Sequence, residues 1–339
     1  MNKKKTVAAL VGTAILAALA AVTLSPKTIN CTGTPDNIQV YDLGGAEYSS
    51  LTIEGAYCHV KNVTVRGSIS HGLKIGRWVY APSNTHHVEV SNFHIYDSTT
   101  EGLDGVGSWG SCLKVETNAH DIYIHDGSVE RCGGEAVGIT GAENVKIDNL
   151  LIRDGKQAGL YIDNTLNMIV SNLTVYCGTD PLYYRNGKPS RAVLLGDEDY
   201  AQTLHASKLG GIVINNVVSY GCGALQYWGG QVEPNGVAGL TVTGVWWDAY
   251  DKAWINAGER NQYDISGIVY KTGAVITPTI TPTVVNNTTP TPTKTPAPTI
   301  TRTPTPIFTP ALTLTATKVP TATPVCVQAL TVWVCDKKP

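Results

Sequence analysis

Two carboxylates and a lysine occupy short stretches of alternating apolar and polar residues and are the candidates for catalysis. Glu116 ends the stretch CLKVE (112–116), which also contains Lys114, and Asp163 ends GLYID (159–163). An inverting glycoside hydrolase requires two carboxyl groups about 6.5–9.5 Å apart, with room for a water molecule between them. A lyase instead requires a base that removes the proton alpha to a carboxyl group and a cation beside that carboxyl group, and Lys114 is a candidate for this chemistry.

Side chains that suit saccharide binding occur in neighbouring stretches. Tyr and Trp rings pack on the apolar face of a sugar, while carboxylates and cations bind its polar groups. The candidates for substrate binding are Lys74, Tyr161, Trp228, Trp254, Asp104, Glu135, Arg131 and Asp197. Arg185 is a further candidate cation for a uronate, and Tyr161 is also a candidate proton donor in an elimination.

A repeat of 23 residues predicts the elements that position these side chains. The stretch VKIDNLLIRD (145–154) recurs as MIVSNLTVYC (168–177). The first apolar residues of successive repeats are Val88, Ile122, Val145, Met168, Ile212, Leu240 and Tyr263. The steps between them are 34, 23, 23, 44, 28 and 23 residues, which is typical of a solenoid with loop insertions.

Each repeat contains three short stretches with a period of two residues, which predicts three strands separated by turns. If each strand pairs with its counterpart in the next repeat, the apolar residues face a shared interior. We therefore predict an all-β fold, a right-handed parallel β-helix solenoid of about 8 coils with three strands per coil. The hand follows from the usual rule for parallel crossovers.

An Asn or Asp recurs at one corner of successive repeats. The positions are Asn62, Asn92, Asp126, Asn149, Asn172 and Asn216. Such residues tolerate a left-handed bend and can bond to the coils above and below in a ladder. With this ladder, residues 36–272 resemble the pectate-lyase-like superfamily, which has the pectin lyase fold. The superfamily includes lyases, hydrolases, esterases, phage tailspikes and adhesins, so the resemblance implies the fold and leaves the activity open.

The resemblance also implies a substrate groove along one strand column, which corresponds here to the third strand of each repeat. Insertions flank this column at 77–87, 97–111, 178–191 and 197–211. The outward residues would form two rows. One row is Lys74, Lys114, Gly138, Tyr161, Leu194, Gln226 and Trp254. The other is Glu54, Gly76, Glu116, Thr140, Asp163, Gly196, Trp228 and Asn256. Glu116 and Asp163 would lie two coils apart, with roughly 9.6 Å between their backbones.

The segment SHGLKIG (70–76) resembles the Gly-His-Gly segment of polygalacturonases, with His71 at the histidine. The paired Asp motif and the Arg-x-Lys motif of that family are missing where they should follow. This argues against a polygalacturonase and leaves His71 without an assigned role. No calcium-ligand set of the pectate lyase type is recognisable.

The eight cysteines favour disulfides, because their number is even and the chain is predicted to be exported. Cys177 and Cys222 occupy similar places in successive coils, so we predict a bond between them. Cys112 with Cys132 and Cys31 with Cys58 are paired by proximity, and Cys326 with Cys335 would close a small loop. No cofactor or metal site is predicted, since His86, His87, His120 and His125 fall on different loops and strand edges.

The ends of the chain predict export and a stalk. Residues 1–20 are predicted to be a signal peptide cut near Ala20, with an uncleaved membrane anchor as the alternative. Residues 21–275 are predicted to form the β-helix, 276–325 a disordered spacer rich in Thr and Pro, and 326–339 a short tail bounded by cysteines. A net charge of −2 with 15% charged residues argues against nucleic-acid binding.

These features favour a secreted or surface-tethered protein that binds polysaccharide. A catalytic form of this hypothesis adds cleavage, either as a glycoside hydrolase or as a polysaccharide lyase. The alternative is a non-catalytic structural β-helix, either adhesin-like or similar to a phage fibre. The stalk is compatible with attachment to the cell envelope in both cases, and no membrane span is expected once the signal is removed.

Overall fold

The computed structural model describes residues 24–77, 84–103, 110–197, 209–229, 236–255 and 261–273, and a hairpin at 326–329 and 332–335. The chain forms two compact units, Met1–Pro278 and Thr279–Pro339. The predicted signal peptide and the predicted spacer lie outside the described residues. Among the described residues, no helix has the length and apolar character needed to cross a bilayer.

The described part of the first unit is built almost entirely from strands, which run in sequence order as follows. They are β1 (Pro26–Thr32), β2 (Gln39–Tyr48), β3 (Ser50–Arg66), β4 (Leu73–Ile75), β5 (His86–Ser98), β6 (Ser111–Val115), β7 (His120–Cys132), β8 (Glu135–Thr140), β9 (Glu143–Gly155), β10 (Ala158–Asp163), β11 (Leu166–Tyr176), β12 (Arg191–Asp197), β13 (Leu209–Tyr220), β14 (Gln226–Gly229), β15 (Val237–Trp247) and β16 (Gln262–Lys271). Two short 3₁₀ turns, Thr100–Gly102 and Pro181–Tyr183, lie in the connections.

The strands pair in parallel in the order β14-β12-β10-β8-β6-β4-β3-β5-β7-β9-β11-β13-β15-β16. Strands β4 to β14 with even numbers form one column, which we call the third-strand column. Strands β5 to β15 with odd numbers, together with β16, form the other column, and β3 contributes to both. Each strand therefore pairs with its counterpart from the next coil, which confirms the predicted parallel β-helix.

The repeat anchors are in register along the whole solenoid. Val88 pairs with Ile122, which pairs with Val145, and Val145 pairs with Met168. The register continues from Met168 through Ile212 to Leu240 and Tyr263. Loop insertions change the length of a coil without changing this register, because the inserted residues lie outside the paired strands.

The predicted first and second strands of a coil form a single bent element. In β9 the chain bends at Asn149, which has a φ of 50°, and the pairing with β11 resumes directly beyond the bend. All six predicted corner residues, from Asn62 to Asn216, have a positive φ. From β3 to β13 the parallel pairing keeps one register on both sides of the corner, and the register shifts by one residue at the corner between β13 and β15.

Side-chain amides connect the corners of neighbouring coils. The Nδ2 atom of Asn149 donates to Oδ1 of Asp126 at 2.6 Å, and Nδ2 of Asn216 donates to Oδ1 of Asn172 at 2.7 Å. A second ladder, which sequence reasoning missed, lies at the start of the same strands. There Asp121, Asn144 and Asn167 have φ values of 55°, 54° and 54°, and Asn144 donates to Asp121 at 3.1 Å.

Three disulfides tie the coils together. They join Cys31 to Cys58, Cys112 to Cys132 and Cys177 to Cys222, with Cα–Cα distances of 5.7, 5.9 and 5.0 Å. In the second unit, β17 (Cys326–Ala329) and β18 (Val332–Cys335) form an antiparallel hairpin that places Cys326 opposite Cys335. Three disulfides are typical of a protein that folds in an oxidising compartment.

Candidate functional site

The third-strand column places the predicted rows in register. Lys74 pairs with Lys114, Lys114 with Gly138 and Gly138 with Tyr161. The same row continues through Leu194 and Gln226 to Trp254, which joins by an isolated bridge. In the second row, Asp163 lies between Thr140 and Gly196, and Gly196 pairs with Trp228. Because Val115 pairs with Ile139, Glu116 follows beside Thr140, two coils from Asp163.

The middle of these rows is covered, whereas Lys74 and Gln226 are half-buried and Trp254 is exposed towards the ends. Every residue of β8 and β10 is buried, and Lys114, Glu116 and Asp163 are only 8%, 3% and 0% exposed. Part of the reason is that glycines in the rows leave room for the side chains of neighbouring coils. A Cβ on Gly196 would lie 2.5 Å from the hydroxyl of Tyr161 and 3.0 Å from Oδ1 of Asp163, so both side chains lie over this glycine.

Lys114 links the two rows through a hydrogen bond. Its Nζ donates to Oγ1 of Thr140 at 2.7 Å, and Thr140 lies between Glu116 and Asp163 in the neighbouring row. At the start of the same strand, Oγ of Ser111 donates to Oε2 of Glu135 at 2.6 Å. The cluster therefore contains a buried ammonium group and buried carboxyl groups in adjacent rows, a combination suited to proton transfer or to binding a charged substrate group.

Glu116 has the environment of a general acid. Burial raises the pKa of its carboxyl group, and the charges of Lys114 and Lys74 lower it in part. Its Oε2 is buried and has no hydrogen-bond partner among the described residues. A carboxyl group held away from water in this way favours its protonated form, which is the form that donates a proton.

His71 lies beside the two lysines. The backbone N–H of Ser111 donates to Nδ1 of His71 at 3.1 Å. Burial, followed by the charges of Lys114 and Lys74, lowers the pKa of His71 from 6.5 to about 4. The imidazole is therefore neutral near pH 7, and it lines a cavity of about 510 Å³ together with Lys74 and Thr52.

A second cavity, of about 620 Å³, lies farther along the third-strand column. Its lining includes Arg185, Lys188, Arg191, Leu194, Gln226 and Tyr250. The first two belong to a tight turn, since the backbones of Arg185 and Lys188 exchange hydrogen bonds of 2.9 and 3.1 Å. Asn186 and Gly187 between them have φ values of 52° and 73°, which defines the turn type that Asn-Gly favours.

The cations of this cavity surround Tyr250. The ammonium of Lys188 and the guanidinium of Arg191 lie 5.4 and 5.8 Å from the centre of its ring. Arg191 is fixed by an ion pair of 2.8 Å with Asp251 and by a bond of 3.1 Å to the carbonyl of Ala224. Lys188 and Arg185 are exposed. Sequence reasoning named Arg185 but missed Lys188, Arg191 and Tyr250. The Asn-Gly dipeptide between Arg185 and Lys188 was an available signal for the turn that carries Lys188.

Several predicted site residues lie elsewhere or in other contacts. Arg131 lies at the end of β7 and forms a bidentate pair with Asp97, at 2.5 and 3.1 Å. Asp197 accepts a bond of 3.4 Å from the hydroxyl of Tyr227 and is 1% exposed. Trp254 is 51% exposed at the end of its row. Asp104 lies outside the described residues, as does the side chain of Trp228.

One group of possible metal ligands occurs among the described residues, on the other column of the solenoid. His59, Glu89 and His125 place one ligand atom each within 4.8 Å of one another. The expectation that the histidines are scattered was therefore wrong for His125, and it was also wrong for His86 and His120, whose rings stack at 4.9 Å. Sequence reasoning missed this group, although His59 and Glu89 each follow an aligned apolar residue by one position and His125 follows the next by three.

Comparison with known proteins finds neither a matching family model nor a matching curated protein. Among solved structures, an alginate lyase from Paenibacillus sp. strain FPU-7 is 16% identical, with a TM-score of 0.46 over 74% of this chain and 87% of that chain. PfbA, a surface adhesin of Streptococcus pneumoniae, is 11% identical, with a TM-score of 0.36 over 69% of this chain and 67% of that chain.

A third similar structure is the A-module of the mannuronan C-5 epimerase AlgE6 from Azotobacter vinelandii. It is 11% identical, with a TM-score of 0.28 over 72% of this chain and 89% of that chain. Identities and TM-scores as low as these assign no activity to this chain. The β-helix itself is established by the strand register described above.

Proposed function

We propose that this protein binds an anionic, uronate-containing polysaccharide along its third-strand column. The observation that carries the proposal is the cavity lined by Arg185, Lys188 and Arg191, which continues the row of Leu194 and Gln226. The described residues that line this cavity include no carboxylate, and Asp251 pairs with one of the three cations. The cavity therefore carries a net positive charge that suits the carboxylates of a uronate chain.

The aromatic and amide groups of the cavity suit a sugar as well as a charge. The ring of Tyr250 is 38% exposed, so one part of it is free to contact the apolar face of a sugar ring. Gln226 is half-buried in the same lining and offers both a donor and an acceptor for hydroxyl groups. The tight turn at Asn186 and Gly187 fixes the backbone that carries Arg185 and Lys188 on one side of the cavity.

Cleavage of the bound chain is a second candidate, favoured by the buried cluster in the same column. In a hydrolase, Glu116 would protonate the leaving oxygen, since burial raises its pKa, and Asp163 would activate water. In a lyase, Lys114 would remove the proton alpha to the uronate carboxyl group while Lys74 stabilises that carboxyl group. As the C=C bond forms and the C–O bond breaks, Tyr161 would donate a proton to the leaving glycosidic oxygen. Both the hydrolase and the lyase mechanism require Glu116 and Asp163, which are 3% and 0% exposed, to become accessible when substrate binds.

We also propose that the protein is exported and held at the cell surface or secreted. The three disulfides support an oxidising environment. The Thr- and Pro-rich segment 276–325 suits an extended spacer that separates the β-helix from an attachment point. Detection of the chain in the culture medium or on intact cells, compared with a variant that lacks residues 1–20, tests this part of the proposal.

The binding proposal is tested by titrating the full chain with polygalacturonate and polymannuronate, with neutral dextran as the control polysaccharide. We expect binding to the acidic polymers that weakens as salt is added. The double variant Arg185→Gln/Lys188→Gln should lower this affinity about tenfold or more. Lys146→Gln removes an exposed cation on β9, outside the cavity, and should leave the affinity unchanged. Equal binding of dextran, or no effect of the double variant, would contradict the proposal.

Cleavage is tested by incubating the same polymers with the full chain. Ultraviolet absorbance reports the unsaturated ends that a lyase produces, and a reducing-end assay reports hydrolysis. The variants Glu116→Gln and Asp163→Asn should abolish product formation while binding is kept. Binding without any product would assign the chain to the non-catalytic, adhesin-like alternative, and products that survive both substitutions would exclude the named pair.

A further inference from the structure

We propose that His59, Glu89 and His125 form a binding site for a divalent transition-metal ion, with Zn²⁺ as the ion that fits best. The site lies on the column of β3, β5 and β7, so it is separate from the third-strand column and does not depend on the proposed polysaccharide binding. Two imidazoles and one carboxylate are a ligand set that zinc and other first-row metals use in proteins.

The strand register brings the three side chains to one outward surface. His59 of β3 pairs with Glu89 of β5, and His125 of β7 pairs with Ser91, two residues beyond Glu89. Because side chains alternate along a strand, positions 89 and 91 point the same way, and so do their partners. The neighbouring residues Val60, Val90 and Ile124 are buried in the core. The three ligands are therefore attached to a rigid part of the sheet.

The distances agree with tetrahedral zinc coordination. Oε1 of Glu89 lies 3.4 Å from Nε2 of His59 and 3.0 Å from Nε2 of His125. Ligands that are each about 2.0–2.1 Å from a tetrahedral zinc ion are about 3.3 Å from one another. All three ligand atoms lie within 4.8 Å of one another.

Outer contacts orient His125 in the way that is usual for a metal-bound imidazole. Its Nδ1 lies 2.7 Å from Oδ2 of Asp126, which leaves Nε2 directed towards Glu89. The ring of Tyr123 stacks on the imidazole at 4.3 Å and limits its rotation. A carboxylate on the far nitrogen of a ligating histidine fixes its tautomer and increases its basicity. Asp126 also accepts from Asn149, so it belongs to the corner ladder.

Access and local charge are consistent with binding from solution. The side chains of His59, Glu89 and His125 are 22%, 40% and 18% exposed. Nε2 of His59 contacts the hydroxyl of Ser91 at 2.7 Å, and this hydrogen bond would be exchanged for the metal bond. Lys61 is the nearby opposing charge, and Asp42 pairs with it at 3.6 Å.

The test is a titration of the full chain, freed of metal by a chelator, with ZnCl₂ and separately with CoCl₂. We expect one equivalent of Zn²⁺ to bind and to raise the melting temperature. Bound Co²⁺ should give the intense visible absorption of a four-coordinate site. The variants His125→Ala and Glu89→Gln should each lower the affinity for Zn²⁺ more than about 100-fold, and Asp126→Asn about 10- to 100-fold through its effect on His125.

His94→Ala is the matched control, because His94 lies on β5 beside Ser128 of β7 and outside the proposed site. It should leave the affinity for Zn²⁺ unchanged. Glu89→Gln keeps the size of the side chain, so an unchanged circular dichroism spectrum separates loss of a ligand from loss of the fold.

The competing location for the ion is the neighbouring group of His86, His87 and His120, in which the rings of His86 and His120 stack at 4.9 Å. Loss of Zn²⁺ binding in His120→Ala but not in His125→Ala would overturn the proposal and place the ion there. Absence of Zn²⁺ and Co²⁺ binding by the unsubstituted chain would also overturn it.

Discussion

The two outward surfaces of the solenoid differ in how far water reaches them. In β9 and β11 buried residues alternate with partly or fully exposed ones, as expected for a sheet with one solvated face. In β8 and β10 every residue is buried. The stretches VKIDN and AVGIT both alternate in sequence, yet water reaches the outward residues of the first and not of the second. An outward polar residue in the third-strand column, such as Asp163, has therefore been removed from water at a cost in free energy, which is characteristic of functional sites.

The inward residues of the two columns should contribute equally to the free energy of unfolding. Ile147 in β9 and Ile162 in β10 are both 0% exposed. Replacing either by Ala should lower the free energy of unfolding by about 2–5 kcal/mol, because each change leaves a cavity in a packed core. Urea unfolding followed by circular dichroism measures both. A much smaller effect for Ile162 would mean that the third-strand column is loosely packed and that the two columns differ in their cores as well as in their outward surfaces.

His71 gives the third-strand column a pH dependence of its own. Its folded-state pKa of about 4 lies below the usual 6.5, so the unfolded chain binds more protons between these values. Stability is therefore complete above pH 6.5 and is lost as the pH falls towards 4, by about 3 kcal/mol at most. The variant His71→Gln should lack this dependence when urea unfolding is measured across the window. The same slope in the variant would show that other groups cause it.

Two outward apolar residues, one on each surface, test whether the difference in burial changes the stability of the protein. Leu194, in the third-strand column, is 8% exposed, and Ile169 of β11 is 46% exposed. Leu194→Ala should lower the free energy of unfolding by about 2 kcal/mol, because nearly all of its side chain is buried. Ile169→Ala should change it by about 0.5 kcal/mol or less. Equal effects of the two substitutions would mean that the cover over the third-strand column contributes nothing.

Burial of the Glu116 carboxyl group in the third-strand column should make the stability of the protein depend on pH. Since burial raises the folded-state pKa of Glu116 above 4.5, its contribution to stability is present below that value and is lost as the pH rises through the folded pKa. Relative to its value at pH 4, the free energy of unfolding at pH 7 should therefore be higher in Glu116→Gln than in the unsubstituted chain, with the contribution of His71 common to both. Glu47→Gln, at an exposed residue of β2, is the control.

Much of the fold was predictable because it repeats. The alternation of apolar residues located the anchors from Val88 to Tyr263, and all of them lie in register. Asn at the corner predicted a positive φ, since few other residues adopt it readily. The bond between Cys177 and Cys222 followed from similar places in successive coils.

The candidate site was predictable only in part. The rows that contain Lys114 and Asp163 follow from the repeat, but their burial depends on what lies over them, which the repeat does not encode. The cationic cavity depends on the tight turn at Asn186 and on Tyr250, both of which lie in irregular connections. The roles assigned to Glu116 and Asp163 remain predictions that the cleavage assay addresses.

The spacing of the corner residues has a consequence for how this protein can change in length. Asn149 and Asn172 are 23 residues apart and occupy equivalent corners of adjacent coils. Unequal recombination between the gene segments that encode them would remove or duplicate one whole coil, while every inward residue stays inward. A duplication would lengthen the rod and its two outward surfaces by one strand spacing, about 4.8 Å. The ladder thus marks places where evolution, or an engineer, can adjust the reach of the molecule without redesigning its core.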